Sequence, residues 1–591
     1  MKNIKVIFEP GMIEVDVPEG SKIISAIERS GIPFELPCGG KGVCGKCGVV
    51  VVEGASAPTE TEKKLLGGKV KSGWRLACQS RVYHHCRILI EGKSSSYHKI
   101  LTTKVLCDMP RNPQITKKHL VLPPITLDHP VSLQQQIAMF LGVGVEQVNP
   151  LLLREPSLSR GNDFTVVFHN GSIIAIEKGD TTQQTYGIGF DLGTTTMVLT
   201  LFDLVNCREV VTVVRPNPQI KFGDDVISRI DFSLKESGLN TLCRVVIDEI
   251  NKMIDEAVKT AGIKNHHIYQ FVLSGNTVME HIFLNLPLLT LSKIPFNPVM
   301  KGPVEFPAYK AGLHINSEGR LFIFPVLGGF VGGDTTGLIL ATGIHRSENI
   351  QMGIDIGTNG EIVIGNKDGI IAASTAAGPA FEGGRITFGM RAQTGALERC
   401  WFSDGKLHWQ IIGGNSLKGI CGSGLVDLVT VLRQQGIINE TGRFDDQSTS
   451  QLAKMLKSQD GNQLFILEPE SVYLTQKDVR EFQAAKAAIR SGIEILMKIR
   501  NVEINDIENV YLAGALGNFV NIENLKTLKM LPEFPSEKII PSGNTSLAST
   551  LLFLCNADLR KDIEYISGIT KTIELSLFPS FQEIFTEALL F

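Results

Sequence analysis

The 591-residue chain contains no apolar run of about 18 residues or more, which excludes a helix crossing a membrane. Excess charge is missing too. Lys and Arg number 58 against 61 Asp and Glu, a net of −3, so nothing points to nucleic acid. Cysteine is scarce, 11 residues placed unevenly, which excludes a disulfide framework and points to a reducing cytoplasm. The opening Met1-Lys-Asn-Ile-Lys-Val-Ile-Phe lacks the pattern of a signal peptide and reads as a strand. Residues 1–95 carry 14 Lys and Arg against 10 Asp and Glu, an asymmetry within ordinary surface variation. With 43% hydrophobic and 20% charged residues, the chain has the composition of a multidomain globular protein.

Four cysteines stand apart from the rest. Cys38, Cys44 and Cys47 share the loop Cys38-Gly-Gly-Lys-Gly-Val-Cys44-Gly-Lys-Cys47, and Cys78 follows in Arg75-Leu-Ala-Cys78-Gln. Thiolates so placed can hold a 2Fe–2S cluster, and the glycines between them let the backbone wrap it and donate N–H groups to its sulfides. A zinc site would more often use two C-x₂-C pairs, and only Cys44/Cys47 forms one. The spacing resembles the adrenodoxin-type branch of the 2Fe–2S ferredoxins. Cys86, at the start of an apparent strand, is the rival fourth ligand. Cys78 is preferred because Trp74-Arg-Leu-Ala-Cys-Gln, read as a loop entering a strand, resembles the fourth-ligand segment of those ferredoxins.

The pattern divides the chain into residues 1–91, 92–125, 126–184 and 185–591. In the first part, Ile4, Val6 and Phe8 alternate, as do Ile13, Val15 and Val17 beyond Pro10-Gly11, a hairpin signature. Ser21 is placed to cap a short helix with Ile23, Ile24 and Ile27 inward, stopped at Gly31. Strands are expected at Val49–Val52 and Ile88–Ile90. A mixed sheet crossed by one helix is the β-grasp arrangement. Residues 92–125 read as a linker because Pro110, Pro113, Pro123 and Pro124 discourage long elements. A small α/β middle domain follows, with a helix near Gln134–Leu141 and strands near Phe164–Phe168 and Ile173–Ile176. Further on, helices are clearest at Gly424–Leu432 and Lys477–Met497, the latter with Thr475 and Asp478 as a capping pair.

From residue 185, two loops repeat one design: Asp191-Leu-Gly193-Thr194-Thr195-Thr196 and Asp355-Ile-Gly357-Thr358-Asn359-Gly360. Each strand ends on an aspartate, and a glycine turn then offers N–H, hydroxyl and amide donors to phosphate. The aspartates suit Mg²⁺ and an attacking water. Neither loop contains the Gly-Lys-Ser/Thr of a Walker A motif. A third element, Val510-Tyr-Leu-Ala-Gly514-Ala-Leu-Gly517-Asn518, fits a turn that admits an adenosine. The trio resembles the phosphate and adenosine motifs of the two-lobed actin, sugar kinase and heat-shock protein (ASKHA) superfamily.

Joined to a 2Fe–2S domain, this pattern resembles the reductive activators of corrinoid proteins. The resemblance extends to Phe222-Gly-Asp-Asp-Val-Ile-Ser-Arg229, Ser274-Gly-Asn-Thr-Val-Met279, Gly329-Phe-Val-Gly-Gly-Asp334, Thr375–Gly383 and Gly419-Ile-Cys421-Gly-Ser-Gly424. It implies an ATP-hydrolysing iron–sulfur enzyme that returns an inactive Co(II) corrinoid protein to Co(I) with one electron. Asp191 and Asp355 would serve Mg²⁺ and water; Gly193, Thr194, Thr195, Thr196, Gly357, Thr358 and Asn359 would hold phosphate; Gly514 and Gly517 would admit adenosine. It also implies a homodimer fed by a low-potential electron donor or reductase. The alternatives are an ATP-dependent activator of a radical dehydratase or aryl-CoA reductase, and an electron carrier with a regulatory nucleotide site. The roles of Asp334, Cys86 and Cys421 are left open by the residues alone.

Overall fold

The computed structural model describes residues 3–591 apart from 10–12, 31–46, 55, 90–109, 125–129, 155–157, 159–161, 414–415, 460–461, 469–471 and 518–519. Cys38, Cys44 and Gly31 therefore lie outside the described residues, as does Asn518. The chain forms two compact units, residues 1–99 and 100–591. Among the described residues, no helix is long and apolar enough to cross a membrane.

The first unit is a five-stranded mixed sheet. Asn3–Glu9 pairs antiparallel with Ile13–Pro18 and parallel with Cys86–Leu89, which in turn pairs with Gly48–Glu53, followed by Trp74–Leu76. The alternating Ile4, Val6 and Phe8 point into the core. Helix Ile23–Ser30 lays Ile23, Ile24 and Ile27 on that core, which fits the expected β-grasp fold. The expected cap differs. The Ser21 hydroxyl donates to the Pro18 carbonyl at 2.6 Å, closing the preceding turn, and the first helical amides, Ile23 and Ile24, donate to the Ser80 and Ala77 carbonyls, each at 2.9 Å. Cys78 also differs from expectation: the strand Trp74–Leu76 comes first, and Cys78 lies in the turn after it.

The second unit opens with a three-stranded antiparallel sheet of Ile115–Val121, Asp163–His169 and Ser172–Lys178, covered by helix Leu133–Leu141. Its first strand falls within 92–125. The prolines at 110, 113, 123 and 124 bound this strand and do not interrupt it. Buried Lys117 pairs with Glu177 at 2.6 Å, and Glu177 also accepts from the Tyr269 hydroxyl, tying this sheet to the first large lobe.

Two large sheets then share one strand order. In the first, Arg208–Pro216, Thr196–Asp203, Tyr186–Leu192, Ile268–Gly275 and Arg320–Val326 lie side by side. In the second, Gly369–Thr375, Gly360–Asn366, Ile350–Ile356, Ile507–Ala513 and Ile539–Gly543 do the same. In each, three antiparallel strands are followed by two that run parallel to the first. Asp191 and Asp355 occupy equivalent places, next to last in the central strand. The duplication read from the two loops is thus a duplication of lobes.

Helix Thr545–Cys555 packs along Tyr186–Leu192. A Cβ on Gly187 would lie 2.7 Å from Leu554, and one on Gly189 would lie 2.5 Å from the Thr550 hydroxyl, so only glycine lets the helix approach this closely. Helix Gln476–Arg500 supports the second sheet. Its capping box joins Thr475 and Asp478, and Val479, Phe482, Ile489, Ile493 and Leu496 are all buried.

Candidate cluster and nucleotide sites

In the first unit, the Cys47 and Cys78 sulfurs lie 3.1 Å apart, both nearly inaccessible to solvent. The turn holding Cys78 is clamped by Glu62, a residue the sequence did not single out. Its buried carboxylate accepts from the Leu76 N–H at 2.8 Å and the Ser80 hydroxyl at 2.6 Å. Burial would raise this acid, but the donors from Ser80, Thr59 and Leu76 outweigh it and hold it below its usual range. The Gln79 amide lies 3.5 Å from the Cys78 sulfur. Paired thiols, that of Cys78 in a fixed turn and that of Cys47 just before the strand Gly48–Glu53, with an N–H donor beside them, fit a thiolate-ligated cluster. Cys86 is built differently. It begins a central strand, and burial pushes its thiol up to about 11, the behaviour of a small core residue.

In the second unit, the two glycine loops face each other across the cleft between the lobes. The Thr195 and Thr358 hydroxyls meet at 2.8 Å, and Thr358 donates to Glu382 at 2.7 Å. The Thr194 hydroxyl accepts from the Asn276 amide at 2.8 Å, and the Gly193 carbonyl accepts from Asn217 at 2.9 Å. Thr196 opens the next strand. The Gly357 N–H donates to the Asn359 carbonyl at 3.1 Å, closing the second turn. Gly514 and Gly517 bound a single helical turn at the end of Ile507–Ala513. Gly514 has φ +89, and a Cβ there would lie 2.6 Å from the Asp355 carboxylate, so this turn abuts the second loop.

Several partners of these loops come from distant sequence. Asn544 and Ser546, at the start of helix Thr545–Cys555, donate to Asp191 at 2.7 and 2.8 Å. An Asn-Thr-Ser helix start was the only sequence signal for them. Arg391 donates to the Thr195 carbonyl at 3.0 Å, and Arg385 pairs with Asp225 at 3.0 Å, two contacts from the second lobe to the first.

Fully buried Arg229 donates to the carbonyls of Thr194 and Gly223 and to Gln219. Burial lowers it to about 10, opposed by Asp225 and Asp224, so it stays charged at neutral pH. Replacing Arg229 with Met leaves these acceptors buried and unpaired. The expected cost is about 1–3 kcal/mol, read as a lower urea midpoint, together with weaker ATP binding.

Carboxylates converge on the cleft floor. Burial pushes Asp355 up to about 8, with the charges of Asp334, Asp191 and Glu382 adding to it. Burial and Asp191 likewise take Asp334 to about 7. Burial raises Asp191 despite its donors Asn544 and Ser546. Glu361 and Glu280 are held well above the usual range by burial and by Asp334. Among the described residues, no three His, Cys, Asp or Glu side chains form a metal site by themselves. Carboxylates gathered where two glycine turns meet suit a cation bound through one or two of them and completed by phosphate oxygens. Two surface cavities, of about 460 Å³ near Lys538 and about 270 Å³ near Trp401, are lined by none of these residues. Cys421 has a structural place, its thiol donating to the Leu397 carbonyl at 3.0 Å.

Comparison with known proteins gives three family matches in chain order. Residues 7–83 match the 2Fe–2S iron–sulfur cluster binding domain, 186–347 the RACo middle region, and 349–591 the C-terminal ASKHA domain of RACo. The chain is 32% identical over 612 residues to the corrinoid activation enzyme RamQ of Eubacterium limosum, covering 98% of each. It is 27% identical over 399 residues to the Co(II) methylated amine-specific corrinoid protein reductase of Methanosarcina barkeri, covering 61% of this chain and 68% of that one. A solved structure of a reductive activator for corrinoid, iron–sulfur protein superposes with a TM-score of 0.73 at 32% identity, covering 99% and 98% of the two chains. The chain therefore belongs to the family of reductive activators of corrinoid proteins.

Proposed function

We propose that this protein reduces the inactive Co(II) form of a corrinoid protein to Co(I) at the expense of ATP. The observation that carries the reading is the end-to-end similarity to a corrinoid activation enzyme, across both the cysteine-bearing unit and the two-lobed cleft. Cys38, Cys44, Cys47 and Cys78 would hold the 2Fe–2S cluster, which when bound supplies electrons one at a time. Around it, Glu62 fixes the Cys78 turn, and the Gln79 amide offers a donor beside the sulfur.

At the cleft, Gly193, Thr194, Thr195, Thr196, Gly357, Thr358 and Asn359 would hold the phosphates of ATP, and Gly514 and Gly517 would admit adenosine. Asp191 and Asp355 would hold Mg²⁺ and orient the attacking water. Asn544 and Ser546 fix the Asp191 carboxylate for that task. ATP can shift an equilibrium only by its differential affinity for two states. The contacts made by Thr195, Thr358, Arg385 and Arg391 between the lobes are where such states would differ. The proposal includes a homodimer, a cytoplasmic setting and a low-potential reductase as electron donor.

The test is ATP turnover measured without a corrinoid protein, with its Co(II) form and with its Co(I) form. Stimulation by the Co(II) form, and not by the Co(I) form, is expected. Equal turnover in all three conditions would remove the reading.

A further inference from the structure

Three successive carbonyls of the first glycine loop are each held by a donor. Gly193 accepts from the Asn217 side chain at 2.9 Å, and Thr194 accepts from Arg229 at 2.6 Å. Thr195 accepts from the Asn217 N–H at 2.9 Å and from Arg391 at 3.0 Å. Donors on these oxygens offset their negative ends beside a phosphate. Two of the donors are arginines, and the two are unlike.

Arg229 is fully buried, belongs to the same lobe as the loop it holds, and is balanced by Asp225 and Asp224. Arg391 is partly exposed and comes from the second lobe. The Met390 N–H before it donates to the Ile420 carbonyl at 2.9 Å. A Cβ on Gly383 would lie 2.5 Å from the Met390 nitrogen, so the backbone carrying Arg391 is packed firmly on its own lobe. Nearby Arg385 pairs with Asp225 at 3.0 Å, whereas Arg391 has no carboxylate partner among the described residues. Its guanidinium reaches the residue at which the two glycine loops meet, the Thr195 hydroxyl lying 2.8 Å from that of Thr358. One N–H of the planar fork goes to Thr195, and the fork has further donors to offer.

On the reading of this cleft as an ATP site, we infer that Arg391 is a further catalytic residue, a cation supplied by the second lobe that donates to the γ-phosphate oxygens as charge shifts in the transition state. In that step the oxygen of water bonds to the γ-phosphorus while the bond to the β–γ bridging oxygen breaks. ADP keeps the bridging oxygen and its electron pair, phosphate keeps the oxygen of water, and one proton passes to solvent. A fixed guanidinium at the loop stabilises the charge of this transition state more than that of bound ATP. Because Arg391 reaches across from the other lobe, it is in place only when the lobes are closed.

The test uses the full-length, cluster-loaded protein with a Co(II) corrinoid protein, and measures kcat and KM for ATP together with the Kd of a non-hydrolysable ATP analogue. Arg391→Gln keeps an N–H for the Thr195 carbonyl and removes the charge. Its kcat should fall by about 10²–10³-fold, with KM and the analogue Kd little changed. Arg391→Lys, which keeps a charge without the fork, should fall between the two, and added guanidinium ion should restore part of the turnover of Arg391→Ala. A wild-type kcat in Arg391→Gln would overturn the inference and leave the ATPase reading standing. So would a loss confined to KM and the analogue Kd, because that is what a mere clip on Thr195 would give. If Arg391→Gln does not fold, the same split in Arg391→Lys decides. No turnover in the wild type would remove the ATPase reading itself, and the inference with it.

Discussion

Replacing Asp355 with Asn is expected to lower corrinoid-stimulated ATP turnover by ~10²–10³-fold and to leave the cluster absorbance intact. The carboxylate is enclosed on the cleft floor with Asp334, Asp191 and Glu382, and these together with burial take it to about 8. An acid so raised carries a proton when the cleft is empty, and Asn has the same shape and no charge. The variant should therefore fold. What it loses is the anion that would attract Mg²⁺ and orient water. The cysteine-bearing unit has its own separate core, so its spectrum should not respond.

The same carboxyl fixes a pH dependence. Between its ordinary value near 4 and about 8, the folded protein holds a proton that the unfolded chain has released. Its contribution to stability is therefore present in full below that window and is lost as pH rises through about 8. Mg²⁺–ATP needs the ionised form, so its affinity should rise with pH across the same range. Thermal melts of the empty protein, and ATP titrations from pH 6 to 9, should show both trends in the wild type. In Asp355→Asn both should be flatter; unchanged slopes would assign the titration to another group.

The second large effect concerns the cluster. Cys78→Ser should abolish the 2Fe–2S visible spectrum or replace it with a weaker, shifted one, and electron delivery to the corrinoid protein should fall to background. Cys86→Ser should keep the spectrum. The reason is positional: the Cys78 sulfur is 3.1 Å from that of Cys47, in a turn clamped by Glu62, whereas Cys86 begins a central strand and packs into the core. Glu62→Gln is the graded case, because it keeps the shape and weakens the clamp on Leu76 and Ser80. A full spectrum in Cys78→Ser would move the fourth ligand elsewhere.

Local signals carried much of the fold. The alternation of Ile4, Val6 and Phe8, the capping pair Thr475 and Asp478, and the two Asp-x-Gly loops are each encoded within ten residues, and the matching strands and helix follow. Errors arose where tertiary contacts chose among local options. Ser21 resembles a helix cap, but its hydroxyl goes to Pro18. The prolines of 92–125 discourage long elements and suggest a linker, yet two pairs of them frame the strand Ile115–Val121, which gains its partner only when Asp163–His169 arrives. At the cleft, the residues that hold Asp191 lie 353 and 355 positions further along the chain. No periodicity links groups so far apart. The same is true of Glu62 beneath Cys78 and Arg229 beneath Thr194.

The most direct test mixes the cluster-loaded, chemically reduced protein with a Co(II) corrinoid protein and follows the absorbance of Co(I) anaerobically. The account predicts growth of Co(I) with Mg²⁺–ATP, and none above background with ADP or without nucleotide. Equal Co(I) formation without ATP, or none with it, would contradict the account.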